Sequence, residues 1–331
     1  MITLSKIAQL AHVSVSTASK AFSMSSEVSE QTRNEIFKIA KEYGCFKKFY
    51  NAKYPKYVIA VICPEFHGQY YSGIVASLQS CLGELGCEVC VASTEFSGSK
   101  EYELLEYYHH YSNVDGIVVI GGQTLISSTY EIPLVSVMPV YRQPVGVCLH
   151  TDYMGASDQI VAQLKANGVE DIAFIGETRT GVKLEGFHTA MEKNGLNCKC
   201  VIVNEERFEQ GGYLAMDQLL QRQELPQAVI CAYDHMAIGA MKRLSEAGIS
   251  VPGDMLLAGM DNIPECAYLV PGLTSVDFGH EAVCRQAAQC VVDMLNGKDV
   301  EKDQRFAAQV HFRQSTEKTQ NDAPRKGQLE K

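Results

Sequence analysis

The nine residues SVSTASKAF, Ser14 to Phe22, carry hydroxyls at Ser14, Ser16, Thr17 and Ser19 and a cation at Lys20. Ser, Thr and Val are middling helix formers, yet the stretch lies between two segments with clear helical periodicity. On a helix, Val15, Ala18 and Phe22 share one side. Ser16, Thr17 and Lys20 face away from it, and Ser19 lies at the margin. Core packing has no use for such a polar face. A DNA major groove does: short hydroxyls donate to or accept from base edges and phosphates, and a lysine reaches a guanine or a phosphate. The plainer reading of the same residues is an ordinary solvated helix face.

Charge distribution favours the first reading. The 331-residue chain has a formal charge of −10, which by itself argues against nucleic acid. Residues 1–57 hold nine Lys/Arg against four Asp/Glu, or +5, so the remainder carries 20 against 35, or −15. A small basic head joined to a large acidic body fits a head that meets a polyanion and a body that does not.

The elements that must position this face are legible around it. Thr3 caps a first helix running to about Ala11, with Leu4, Ile7, Ala8 and Ala11 on one face. A tight turn at HVS follows, and Ser14 caps the second helix. VSEQTRNEIFKIAKEYG starts a third, with Ser29 and Thr32 as candidate caps, Ile36, Ile39 and Ala40 inward and Gly44 as its end. Three short helices with a tight first turn make a helix-turn-helix unit. Residues 45–57, CFKKFYNAKYPKY, are basic and aromatic and read as a linker.

From Val58 onward, apolar strand-like runs alternate with amphipathic helices near 71–85, 99–111, 155–167, 183–194, 210–223, 234–247 and 282–295. That alternation means parallel sheets wrapped by helices. Residues 316–331 are polar without apolar period and read as a disordered tail.

Catalytic and metal readings fare poorly. Cys87 and Cys90 lie in a strand-like run, where residues three apart point to opposite faces, so a shared zinc or redox role is not expected. HEAVC at 280–284 has Cys where a zinc-protease helix needs its second His. His109 and His110 are adjacent on a helix and point about 100° apart. Phosphate-loop, dinucleotide and nucleophile-elbow patterns are missing, and no nucleophile accompanies Asp152 and Asp261 as an acid/base pair. No cofactor, metal or catalytic residue is expected. Twelve cysteines without a disulfide framework suggest a reducing compartment, and no signal peptide or 18-residue apolar run occurs. A cytoplasmic protein without membrane contact is expected.

The sequence resembles the lactose-repressor (LacI/GalR) family of bacterial transcription regulators. TLSKIAQLAHVSVSTASKAF and VSEQTRNEI are similar to the family's headpiece. VDGIVVIGG, DIAFIG, KLEGFHTAM, AVICAYDHMAIGAMKRLSEAGISVPGDMLLAGMDN and PGLTSV are similar to its effector-binding core, and the likeness spans residues 2 to about 313. The resemblance implies an N-terminal all-α helix-turn-helix headpiece plus an α/β periplasmic-binding-protein-like core of two parallel-sheet subdomains. The expected division is a headpiece at 1–45, a hinge linker at 46–57 and a core at 58–315. One subdomain would take about 58–149 and 278–308, the other about 150–276 and 309–315, with crossovers near 148–152, 275–279 and 307–312.

Carried over from the family, Val15, Ser16 and Lys20 read bases, with Lys20 replacing the usual Arg, while Thr17 and Ser19 hold phosphates. Thr3, Ser14 and Thr32 complete the DNA-contacting set. Tyr54 is the nearest counterpart of a Leu that wedges into the minor groove; it precedes Pro55, which disfavours helix there. In the core, Tyr70 and Tyr71 line or stack on the ligand. Asp152 matches the Asp of a D-N-x-x-G-A pattern that here lacks one residue after it. Lys183 stands where a cleft Arg is common, Tyr233 replaces a frequent Asn, and Asp261 accepts from ligand hydroxyls or N–H groups. Lys183 favours an anionic group such as a sugar phosphate. The plainer reading of Asp261 is a cap on the following DNIP turn. The function expected is a non-enzymatic, ligand-responsive repressor that binds a near-palindromic operator in double-stranded DNA as a homodimer, its small effector a sugar or related metabolite. The alternative is a cytoplasmic solute-binding protein with weak or lost specific DNA binding.

Overall fold

The computed structural model describes residues 2–50, 57–122, 130–139, 146–198 and 200–317. It divides into two units, Met1–Lys56 and Tyr57–Lys331.

The first unit is helical: α1 (Leu4–Leu10), α2 (Val15–Phe22), α3 (Glu30–Glu42) and a single turn α4 (Phe46–Phe49). Each of the first three begins with a hydroxyl cap. Thr3 accepts from the Lys6 amide, Ser14 from Thr17 and Ser29 from Thr32, satisfying amides a helix start leaves bare. Thr32 is therefore not itself a cap; its hydroxyl bonds that of Ser29. Ile7, Ala21, Phe22, Ile36, Ile39 and Ala40 form the core. The segment expected to be linker from Cys45 onward departs from that expectation. Cys45 is buried, and Phe46, Phe49 and Tyr50 pack on Phe22 and Phe37 at ring separations of 4.9–6.1 Å. These rings pack against the core of the three helices, so the helical unit extends through Tyr50.

The second unit holds two parallel sheets. The larger has the order β11-β5-β4-β3-β1-β2. Its strands are β1 (Tyr57–Cys63), β2 (Cys87–Ser93), β3 (Gly116–Ile120), β4 (Leu134–Val137), β5 (Val147–Thr151) and β11 (Asp303–Phe306). Helices α5 (Gln69–Glu84), α6 (Gly98–His110) and α11 (His280–Leu295) pack on it. The smaller, β7-β6-β8-β9, uses β6 (Ile172–Glu177), β7 (Cys200–Asn204), β8 (Ala228–Cys231) and β9 (Leu256–Ala258). It is accompanied by α7 (Tyr153–Ala166), α8 (Gly181–Lys193), α9 (Phe208–Leu220) and α10 (Asp234–Glu246). The chain passes between the lobes after β5, between β10 (Ser275–Asp277) and α11, and between β11 and β12 (Gln309–His311); β10 and β12 pair antiparallel.

Central strands β1 and β3 are buried almost throughout, as strands covered on both faces must be. Two glycines let α9 and α10 approach closely. A Cβ on Gly212 would meet the Met236 carbonyl oxygen at 1.9 Å, and one on Gly239 the Glu209 oxygen at 1.9 Å. That contact fixes the starts of both helices, which carry Phe208 and Tyr233 to the cleft. Thr316, expected to begin a disordered tail, is instead held in the body. Ser315 and Thr316 are buried, with Ser315 donating to the Leu257 oxygen at 2.6 Å and Thr316 bonded to Thr274 at 2.7 Å. Residues 318–331 lie outside the described residues.

Candidate DNA-binding face and effector cleft

Within α2, Ala18, Ala21 and Phe22 are buried, whereas Val15 is 46% exposed. Val15 thus belongs to the outer face rather than the inner one the periodicity assigned it. Ser14, Ser16 and Ser19 are exposed, and Thr17 and Lys20 half-buried. The Thr17 hydroxyl bonds Ser14 Oγ at 2.8 Å, so part of its capacity serves the cap. Lys20 Nζ pairs with Glu27 at 2.5 Å across the turn after α2. Exposed pairs of this kind are worth about 1 kcal/mol or less, so a phosphate or base can displace Glu27. Arg33 clamps the same turn through the Ser25 and Val28 carbonyl oxygens, at 2.7 and 3.0 Å. Tyr54 lies outside the described residues.

In the second unit a cavity of about 330 Å³ opens where the carboxyl ends of β1, β6 and β8 meet the loops of both lobes. Open α/β sheets place ligands there. Tyr70, Tyr71, Lys183, Tyr233 and Asp261 all line it. Tyr70 and Tyr71 stand edge to face at 5.0 Å, and the Tyr70 hydroxyl lies 3.3 Å from that of Tyr153. Burial raises both phenols well above their ordinary value. Tyr233 accepts the Phe208 amide at 2.9 Å, a bond that leaves its ring on the cavity wall.

Lys183 and Asp261 are partners. Nζ donates to Oδ1 at 2.6 Å, with the side chains 13% and 7% exposed. The ammonium also lies 5.3–5.9 Å from the ring centres of Tyr70, Tyr233 and Phe278. The cation expected to attract an anionic ligand is therefore already neutralised and ringed by π-faces. Burial pushes the Asp261 carboxyl up, and Lys183 opposes that. Asp261 has φ +102°, a strained value for a non-glycine residue, and its amide donates to the Val276 oxygen at 2.9 Å. The DNIP turn is capped by others: Asn262 donates to Ser275 Oγ and Ile263 to the buried Asp234.

Asp152 is the residue that the structure moves out of the effector set. It is exposed, and its Oδ1 accepts the Gly155 amide at 2.8 Å, capping α7. The helix begins at the next residue, Tyr153, so the carboxylate serves its own helix start. Asp152→Ala should cost about 1 kcal/mol by urea denaturation, the usual loss for a cap, and leave ligand response unchanged.

Sequence reading missed Glu65, Phe96, Glu177, Arg179 and Arg207. Arg207 grips Glu65 with both terminal nitrogens, at 2.6 and 2.8 Å, across the two lobes. Its guanidinium lies between Phe96 and Phe208, at 5.1 and 4.5 Å. Arg179 also covers Phe96, at 4.7 Å, and lies 3.9 Å from Glu177. Glu177 ends β6, and the others stand two or three residues after β1, β2, β6 or β7, so the strand-end rule would have nominated them.

His280 packs its ring on Tyr70 at 4.7 Å, behind the cavity. Burial lowers its imidazole from 6.5 to about 4. The folded protein keeps it neutral while the unfolded chain protonates it near 6.5, so its contribution is intact above pH 6.5 and is lost as pH falls toward 4. His280→Phe should remove that component: the gap between wild-type and variant melting temperatures changes from pH 6.5 to 4.5 and is constant above pH 7.

A helix-turn-helix unit followed in the chain by a two-lobed body with an enclosed cleft defines a ligand-responsive, DNA-binding regulator of transcription. Comparison with known proteins agrees. A profile of bacterial regulatory proteins of the lacI family matches residues 3–45, and one of a periplasmic binding protein-like domain matches residues 161–316. The HTH-type transcriptional regulator AscG of Escherichia coli K12 is 26% identical, over 95% of this chain and 98% of its own. The HTH-type transcriptional repressor PurR of Haemophilus influenzae PittEE is 26% identical over 90% and 93%. The lac repressor dimer bound to operator and the anti-inducer ONPF shares the fold, with a TM-score of 0.71 at 20% identity over 95% and 99% of the two chains. A LacI-family regulator from Silicibacter pomeroyi gives a TM-score of 0.74 at 21% identity over 96% and 100%. The chain thus carries a lacI-family DNA-binding domain and a periplasmic binding protein-like domain, and is similar to regulators of the LacI family along nearly its whole length. The curated relatives named above are regulators, not enzymes. Among the described residues no helix is long and apolar enough to cross a membrane, no cluster of His, Cys, Asp or Glu could hold a metal, and none of the cysteines is in a disulfide.

Proposed function

We propose that this protein is a cytoplasmic repressor that binds a near-palindromic operator as a homodimer and responds to a small sugar or related metabolite held between the lobes of its body. The observation that carries the reading is the cavity itself. Tyr70, Tyr71, Phe96, Tyr233 and Phe208 supply flat apolar walls, which suit the C–H face of a sugar or a planar ring. Thr151 Oγ1, Arg207 Nε and His235 Nε2, buried polar atoms of lining residues, have no hydrogen-bond partner among the described residues. Such orphans are what ligand hydroxyls would satisfy. Two-fold operator symmetry is supported by the relative whose solved form is a dimer on operator.

On DNA, Val15, Ser16 and Lys20 face base edges, Thr17 and Ser19 the phosphates, with Thr3, Ser14 and Thr32 holding helix starts toward the backbone. Selection of duplexes from a random pool by the full chain tests this reading. Enrichment of an inverted repeat, bound by two chains in sedimentation, is expected. A pool that stays random would leave a solute-binding protein in its place.

A further inference from the structure

The charges lining the cleft are matched before anything enters it. Lys183 is held by Asp261 at 2.6 Å, and Arg179 lies 3.9 Å from Glu177. Arg207 is forked onto Glu65 at 2.6 and 2.8 Å. Among the described lining residues Arg305 is the remaining Arg or Lys, and it is exposed. The Glu65–Arg207 pair differs from the other two because it joins the lobes. Glu65 follows β1 of the larger sheet, and Arg207 follows β7 of the smaller. Its carboxylate is 8% exposed and the guanidinium 23%. Gly68 leaves room for that carboxylate: a Cβ there would stand 3.2 Å from Glu65 Oε1.

A bidentate fork is the arrangement by which arginine takes a carboxylate or phosphate from a ligand. Here the protein's own carboxylate fills it. An anionic ligand that takes the Arg207 fork would have to displace Glu65 and leave that charge buried beside Glu177, 4.0 Å from the Arg207 Nε on the other side. An uncharged ligand faces no such cost. Resting on the proposal that this cleft takes the effector, we infer that Glu65 is a specificity-determining residue that makes the cleft select uncharged ligands over anionic ones. It acts as a built-in anion on Arg207. This reverses the preference for an anionic group that Lys183 suggests in the sequence alone.

Sulfate is the probe. Wild type, Glu65→Gln and Glu65→Ala are titrated with sulfate against chloride at constant ionic strength, without DNA, by calorimetry and thermal shift. Both variants should bind sulfate at least about tenfold more tightly than wild type, since the freed fork gains charge-assisted bonds. The gain should vanish when Arg207→Gln is added, which separates this site from anion binding elsewhere. Wild-type sulfate binding that depends on Arg207, or no gain in either folded variant, overturns the inference. Because sulfate reports on Arg207 directly, that outcome is distinct from failure of the effector reading, which a metabolite screen on wild type decides.

Discussion

Lys183→Met should lower unfolding free energy by about 3 kcal/mol, the scale for removing one partner of a buried ion pair. Met keeps the apolar stem against Tyr70, Tyr233 and Phe278 but leaves Asp261 buried and unpaired. Asp261 then escapes by taking a proton, so its folded value rises above the unfolded one. Stability added that way is present at acid pH and lost as pH rises, so the deficit should be smaller at pH 5 than at pH 7.5. Adding Asp261→Asn should return part of the loss, because the stranded charge is gone. Urea denaturation of the four proteins of this cycle gives the answer. A Lys183→Met deficit below about 1 kcal/mol at pH 7.5 would mean the pair is no stronger than a surface contact.

Lys20→Ala should weaken operator binding by about 1–3 kcal/mol and relax one position in each half-site, the scale for losing a base contact. Releasing Lys20 from Glu27 costs little, since the pair lies in contact with solvent, its side chains 44% and 66% exposed. Thr17→Ala should weaken all duplexes more evenly, because a phosphate contact carries no sequence information. Gel shifts on operator and random DNA separate the two. Equal affinities for wild type and Lys20→Ala on every duplex would take Lys20 out of the base-reading role.

Local signals in the sequence reported local structure well. Hydroxyls at Thr3, Ser14 and Ser29 mark helix starts because capping depends on a residue and the three after it. The strand–helix alternation from Val58 yielded the parallel sheets for the same reason. Pairings remote in sequence were not legible. Glu65 and Arg207 are 142 residues apart, and nothing local to either marks the other. Lys183 read as an available cation because its partner, Asp261, lies 78 residues away. Asp152 matched a family position, but α7 begins at the residue after it and its carboxylate is a helix cap. Phe46, Phe49 and Tyr50 were hidden among lysines, where composition suggests linker, although their rings complete the headpiece core.

A ligand in the cleft should change affinity for DNA. The most direct measurement is anisotropy of a labelled duplex, selected by this protein, titrated with wild type and with Asp261→Asn in the presence of a panel of uncharged sugars and nucleobases. At least one compound should shift wild-type affinity about tenfold, within the usual range of allosteric coupling. Asp261→Asn should bind the bare duplex as wild type does and no longer respond. A response of equal size in both proteins would contradict this.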